Sequence, residues 1–360
     1  MSYRTEDLTQ ALARRPRAPL LAGPTPVQRL KNVEQAFRDQ LGTTRLFAKR
    51  DDHMALGGGG NKLRKLEFLL GDAQAMAADV IITTGGRQSN HARLTAAACA
   101  HLGLACELVV KPTVGHANAE HRLGGNVLLD RLFGAARIAI PASADANAAM
   151  QARADFHRAR GRIPYVIPAG GSNAIGALGY AAAAREIVEQ QAACDFRLAR
   201  LFLANGGSGT HAGLAAGWVA MGGSARAIQS FAVIGDADAV QQTTALKAMA
   251  AIDLLGTDGD IAQADMLVDG SQRGSAYGVP TAAMVEAVNL MACREGLLLD
   301  PVYSGKAFAG LLALIRGNGL RDAGDIVFLM TGGVPTLFAY RDALAPGTAT
   351  DEPLLETQGE

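Results

Sequence analysis

The sequence predicts an α/β protein built from open, twisted parallel sheets flanked by helices, in two domains. Three observations lead there. Short apolar runs alternate with segments whose apolar residues recur at helical spacing, the β-α-β-α order of parallel sheets. Glycine-rich polar clusters stand where strand runs give way to helical segments, the place where open α/β sheets bind ligands. Of 360 residues, 49% are hydrophobic and 19% charged, a packed chain with material for about two domains at roughly 150 residues each.

The elements follow in order. Pro24-Thr25-Pro26 is expected to open the ordered part, because two prolines exclude a helix there. Residues 46–49 read as a strand, followed by the glycine run 57–60. From Lys62 the apolar residues Leu63, Leu66, Leu70 and Ala73 fall at helical spacing, with Asn61 as N-cap. Strands at 80–83, 104–110, 137–140 and 165–167 alternate with helices at 94–102, 123–133 and 144–158, the last capped by Ser143. Further on, helices are expected at 175–190, 212–220, 281–295 and 306–316, and strands at 201–204, 227–234, 266–268 and 326–330. The polar tail after Pro346 is expected to fray. With no repeat and no low-complexity linker, the two domains are expected to share crossing chains.

Composition removes several classes of function. Thirty-four basic and 34 acidic side chains give a formal charge of zero, against the basic excess of a nucleic-acid binder. No apolar run has the length of a membrane span, and the first residues lack the apolar core of a secretory signal. Cys99, Cys106, Cys194 and Cys293 form no CxxC pair, which speaks against a disulfide framework or thiolate metal site. A reduced, cytoplasmic protein is expected. His53, His101, His116, His121 and His157 show no metal-ligand spacing and read as surface or loop residues. Arg153, Arg158, Arg160 and Arg162 read as a solvated helix end.

Six clusters can carry chemistry. In Gly58-Gly59-Gly60-Asn61-Lys62 a lysine stands at a helix start. The helix dipole there, together with Arg64 and Lys65, is expected to lower its pKa and favour the free amine that a Schiff-base lysine needs. It is not a Walker A loop, since Leu63 follows the lysine. Gly85-Gly86-Arg87-Gln88-Ser89-Asn90-His91 joins a strand to a helix and suits a substrate carboxylate, while Ser89 or Asn90 can cap the helix. Asn205-Gly206-Gly207-Ser208-Gly209-Thr210 has the glycines and hydroxyls of an anion nest for a phosphate. Gly207, Gly209 and Ala212 also match GxGxxA, with Asp236 and Asp238 beyond the next strand. A nicotinamide-dependent dehydrogenase therefore stands as a rival reading. Tyr277 and Tyr303, the latter in Asp300-Pro301-Val302-Tyr303-Ser304, offer acid groups or half-buried packing. Thr331-Gly332-Gly333 follows the strand at 326–330, so Thr331 faces a ligand crevice or merely ends the strand.

GGNKLRKLEFL at 59–69, QSNHARLTAAA at 88–98, IPAGGSNAIGALGY at 167–180, DPVYSGKA at 300–307 and TGG at 331–333 occur in one order. Together they resemble the pyridoxal-phosphate enzymes grouped as D-cysteine desulfhydrase and 1-aminocyclopropane-1-carboxylate (ACC) deaminase, over residues 25–340. The resemblance implies the fold type II architecture of the tryptophan-synthase-β kind. The cofactor would lie in the cleft between a large domain, 1–67 plus 178–348, and a small one, 68–177, with 349–360 as a tail and a homodimer as the assembly. It implies that Lys62 carries the cofactor as a Schiff base and takes the substrate's α-proton. Asn90 would bond the phenolic oxygen, Gly206, Gly207, Ser208, Gly209 and Thr210 the phosphate, and Thr331 would face the pyridine nitrogen. Ser89 and Gln88 would bind the substrate carboxylate. Tyr277 and Tyr303 would line the pocket over the side chain, and His91 and Ser304 join the substrate-binding set.

ACC deaminases carry glutamate after the DPVY tyrosine and leucine in place of the TGG threonine. Ser304 and Thr331 match the desulfhydrase pattern instead. Arg87 and the long glycine run depart from it. Arg87 reads as a surface residue or as a partner for an anionic substrate side chain, as in an L-cysteate sulfo-lyase of the same family. Thr331 cannot keep the pyridine nitrogen protonated, which favours prompt loss of a leaving group. The expected reaction is β-elimination from a small amino acid, D-cysteine to pyruvate, sulfide and ammonia, with cysteate cleavage or ACC deamination as alternatives. No metal is expected.

Overall fold

The computed structural model describes residues 3–113 and 118–344. Its ten strands are β1 Val27–Arg29, β2 Arg45–Arg50, β3 Val80–Gly86, β4 Ala105–Lys111, β5 Ala136–Ala139, β6 Pro164–Ile167, β7 Leu198–Asn205, β8 Ile228–Ala232, β9 Leu267–Asp269 and β10 Asp325–Met330. They sort into a six-stranded sheet, β1-β2-β10-β7-β8-β9, and a four-stranded one, β5-β4-β3-β6. Every pairing is parallel except β1 with β2. Strands such as β10, buried along all six residues, have helices on both faces, which is why they read as unbroken apolar runs.

The helices hold the predicted order with instructive differences. A helix at Thr5–Ala13 precedes the expected start of order. Its Leu8, Ala11 and Leu12 are buried, an i, i+3, i+4 stripe. The expected helix at 123–133 is two, Ala119–Leu123 and Asn126–Leu132. Gly125 breaks it with φ +55, where a Cβ would lie 2.7 Å from Gln88 Oε1 and from Pro335 O. Asp145, not Ser143, caps the helix Ala146–Arg158 by accepting from the N–H groups of Asn147 and Ala148. The 19-residue helix Ala237–Leu255 went unpredicted. Asn61 stands before the helix Lys62–Ala75 but does not cap it; its Nδ2 donates to Thr210 Oγ1 at 3.1 Å.

The histidine and arginine expectations also change. His121 and His157 are buried, not on the surface. His157 Nε2 meets Glu107 Oε1 at 2.8 Å, and Arg153 forks onto the same carboxylate, so this arginine is not merely solvated. His116 and the tail after Pro346 lie outside the described residues. Cys99 and Cys106 are buried free thiols. No helix among the described residues is long and apolar enough to cross a membrane.

Candidate active site

The loops leaving β3, β6, β7 and β10 at their carboxyl ends, together with the start of the Lys62–Ala75 helix, enclose a cavity of about 470 Å³. This is the crevice position of open parallel sheets. Both sheets contribute. The cavity brings together Lys62, Ser89, Asn90, His91, Gly206, Gly207, Ser208, Thr210, Tyr277, Tyr303 and Thr331. Gly209 lies just behind the wall, where a Cβ would come within 3.0 Å of Lys65 Nζ.

Close backbone packing sets the position of Lys62. The Asn61 N–H donates to Thr331 O at 3.0 Å, and a Cβ on Gly332 would lie 2.7 Å from Gly60 Cα. Only glycines allow the chain before Lys62 to lie on the end of β10. Buried Arg93 grips the glycine run, donating to Gly57 O and Gly59 O at 2.9 Å each. Lys62 Nζ sits 5.8 Å from the centroid of the Tyr303 ring. Burial lowers its pKa to about 8, opposed by the charge of Asp300. The expected direction holds for a different reason: Arg64 is neutralised by Asp51 and Glu186 on the far side of the helix.

Next to Lys62 is a second buried amine. Lys65 Nζ donates to Ser172 Oγ at 3.0 Å and to Gly170 O at 3.3 Å. Burial first, then Lys62 and Lys247, hold its pKa well below the ordinary lysine value. It lies against the 206–210 loop, where Lys247 Nζ also donates to Gly207 O at 2.8 Å. That loop has the form of a nest. Ser208, at φ +69, turns the chain into the helix Gly209–Ala220, and a Cβ on Gly207 would lie 2.8 Å from Ser172 Oγ. A helix start and the buried Lys65 amine thus converge on one small space, with Lys247 on the Gly207 carbonyl nearby, the chemistry of a phosphate cradle.

Asn90 is held in one orientation. Its Oδ1 accepts from Asn126 Nδ2 at 2.9 Å and Thr336 Oγ1 at 3.1 Å, and its Nδ2 donates to Asp300 Oδ2 at 3.3 Å. The second Nδ2 hydrogen is left to donate elsewhere. Asp300 accepts from the N–H groups of Tyr303 and Ser304, at 2.7 and 2.8 Å. Burial raises its pKa to about 6 despite those bonds and Lys62. Ser89 caps its helix by accepting from the Ala92 N–H. Buried His91 meets Thr83 Oγ1 through Nε2 at 2.9 Å. Thr83 gives its one hydrogen to Ile167 O, so His91 Nε2 carries the proton and Nδ1 is a bare acceptor without a partner among the described residues. Burial, then Lys62 and Lys65, keep the ring neutral.

The Tyr277 and Tyr303 hydroxyls lie 2.7 Å apart. Burial raises both, Tyr303 to about 12, so both phenols hold their protons at neutral pH.

Three expected residues lie off this wall. Gln88 is engaged elsewhere, donating to His121 O and Gly124 O and accepting from the Asn126 N–H. Ser304 Oγ accepts from the Asp300 N–H at 2.8 Å and lies 3.3 Å from the Asp300 carboxylate. Arg87 lines a separate cavity. Conversely, Arg93, Asn126 and Ser172 have no role in the sequence reading, and Lys65 has only that of repelling the Lys62 charge. Lys65 is one helical turn from Lys62 and Arg93 one from Ser89, a spacing that placed them on the same faces.

Comparison with known proteins fits this geometry. The family described as pyridoxal-phosphate dependent enzyme matches residues 19–332. A crystal structure of an ACC deaminase homologue superposes with a TM-score of 0.81 at 34% identity, covering 94% of this chain and 98% of that one. A pyridoxal 5'-phosphate-dependent aspartate racemase shares the fold alone, with a TM-score of 0.62 and 14% identity over 91% of this chain and 94% of that one.

Proposed function

The chain belongs to the pyridoxal-phosphate-dependent enzyme family, and on that premise we propose that it catalyses β-elimination from a small β-substituted amino acid, D-cysteine to pyruvate, sulfide and ammonia. Pyridoxal phosphate is its cofactor. The cavity fits the group: a lysine of lowered pKa for the aldehyde, a nest with the Lys65 amine for the phosphate, and an amide hydrogen of Asn90 for the phenolic oxygen. When bound, the cofactor supplies a conjugated ring that delocalises the charge left on the substrate α-carbon.

The observation that carries the reading is the tyrosine pair beside Lys62. Lys62 Nζ, with its pKa near 8, takes the α-proton as a general base. In an O–H···O–H pair one hydrogen lies between the oxygens and the other points away. That second phenolic proton goes to the departing sulfur. Ser89, at a helix start, holds the substrate carboxylate with its free hydroxyl hydrogen and the first-turn N–H groups. Thr331, on the cavity wall, would meet the ring as a hydroxyl, and Ser304 is bound to Asp300 rather than facing the cavity, which supports elimination over ring opening. The dinucleotide reading is abandoned with the family match, and of its two acidic residues Asp236 instead caps the helix Ala237–Leu255 and Asp238 lies in that helix's first turn.

The same proposal includes cytoplasmic residence, a homodimer, and the division into 1–67 plus 178–348 and 68–177. Strands β3 to β6 all fall in the second part, which supports that division. The test supplies holoenzyme with D-cysteine, L-cysteine, L-cysteate and ACC, reading pyruvate, sulfide, sulfite and 2-oxobutanoate. Pyruvate and sulfide from D-cysteine are expected; 2-oxobutanoate from ACC with no pyruvate from any β-substituted alanine overturns the reading.

A further inference from the structure

A second cavity, of about 560 Å³, adjoins the first and shares Lys111 and Pro112 with it. Arg87, Lys111, Arg122, Arg131 and Arg137 line it, and no carboxylate does among the described lining residues. In a chain with equal numbers of acidic and basic side chains, a wall of one sign is a local selection rather than average surface. The fold gathers it from separate segments: Arg87 from the turn after β3, Lys111 from the end of β4, Arg137 from β5, and Arg122 and Arg131 from the two helices flanking Gly124-Gly125.

Two of these charges, Arg87 and Arg131, are uncompensated among the described residues. Arg137 reaches buried Asp130. Half-buried Arg87 and exposed Arg131 have no side-chain hydrogen bond or ion pair with the described residues. The Arg87 charge adds to burial in lowering both Arg137 and His121. Like charges crowded in a concave space raise the local potential and concentrate anions. Guanidinium forks match oxyanion geometry with two parallel hydrogen bonds.

We propose that this cavity binds a small polyanion, a molecule with two or more oxyanion charges such as a diphosphate, at a site separate from the phosphate nest of the first cavity. Because Arg87 directly precedes Gln88 and Ser89 and Lys111 lines both cavities, a bound anion alters the field at the substrate end of the first cavity.

The test is calorimetric titration of the holoenzyme with inorganic diphosphate at fixed ionic strength. In the holoenzyme the nest is already filled by the cofactor. One saturable site per chain is expected, weakened about tenfold or more by Arg87→Gln and by Arg131→Gln, and unchanged by Arg158→Gln, which removes an exposed arginine paired with Asp155. Arg131 is exposed, so its variant carries the test if Arg87→Gln does not fold. Three results overturn the site: no saturable binding at millimolar diphosphate, equal affinity in all variants, or binding confined to cofactor-free protein. None of them depends on which amino acid is the substrate.

Discussion

Arg64 and Lys65 are adjacent in the sequence and equally hidden, 2% and 1% exposed, yet they stand in opposite electrostatic surroundings. Arg64 points into a web of acids. It meets Asp51 at 2.8 and 2.9 Å and Glu186 at 2.8 and 3.0 Å, beside Lys49, Thr25 and Tyr180. Burial works against its charge, but Asp51 and Glu186 outweigh it and hold the guanidinium well above its ordinary pKa. Lys65 points the other way, onto the loop at 206–210, with a hydroxyl, a carbonyl and two other amines around it. Its pKa falls. Depth alone therefore does not decide whether a buried cation keeps its charge; the supply of carboxylates does. One face of this helix is a structural anchor and the other is chemical equipment, separated by about 100° of helical rotation per residue.

The comparison predicts different failures on the two faces. The largest is Lys62→Ala: pyruvate formation falls by about a thousandfold or more, and the visible absorption band and the borohydride-trapped pyridoxyl peptide at Lys62 are lost, with the fold intact. Retained turnover sinks the proposed base. On the anchor face, Arg64→Met leaves buried Asp51 without its cation and Glu186 with Lys49 alone, and costs about 3–5 kcal/mol in urea unfolding. Lys65→Met, which strands no charge, stays within about 1.5 kcal/mol; equal losses would erase the distinction.

The anchor also makes a pH prediction. Burial pushes Glu186 up, but the hydrogen bonds and charge of Arg64, then the charge of Lys49, hold it at about 2. A folded pKa below the unfolded one gives stability that is present above pH about 4.5 and lost as pH falls toward 2, up to about 3 kcal/mol. The stability gap between the parent and Glu186→Gln should shrink across that window, and a gap independent of pH refutes the assignment.

Smaller effects belong to the cavity. Tyr303→Phe breaks the hydroxyl pair and lowers kcat for β-elimination about ten- to a hundredfold, while an unchanged kcat moves the acid elsewhere. Lys65→Met removes a donor and a latent positive charge that an arriving phosphate dianion would restore. It weakens cofactor affinity about tenfold, measured by fluorescence titration of cofactor-free protein.

Much of this was legible in the sequence. Apolar alternation placed the strands, and the motifs around Lys62, Ser89, Gly207, Tyr303 and Thr331 gathered on one cavity. The helix Ala237–Leu255 was missed although its signal was present: Thr244, Ala248, Ala251 and Leu255 are buried at helical spacing behind an Asp236 cap. Gln88 and Ser304 stand off the cavity wall for another reason. Their types suit a substrate, but neighbours already engage them, and only the assembled chain shows that His121 O and the Asp300 N–H lie within reach.

What the sequence determined by itself is what local periodicity and backbone freedom encode: helix or strand, the turns that need glycine, and the order of motifs along a parallel α/β frame. What the tertiary structure decided is charge. Arg64 meets a glutamate 122 positions away and Asn90 an aspartate 210 positions away, while Arg87 is gathered with other cations into a separate cavity. A proton's affinity is set by the groups within a few ångströms of it in space, and those groups are brought together only when distant parts of the chain pack.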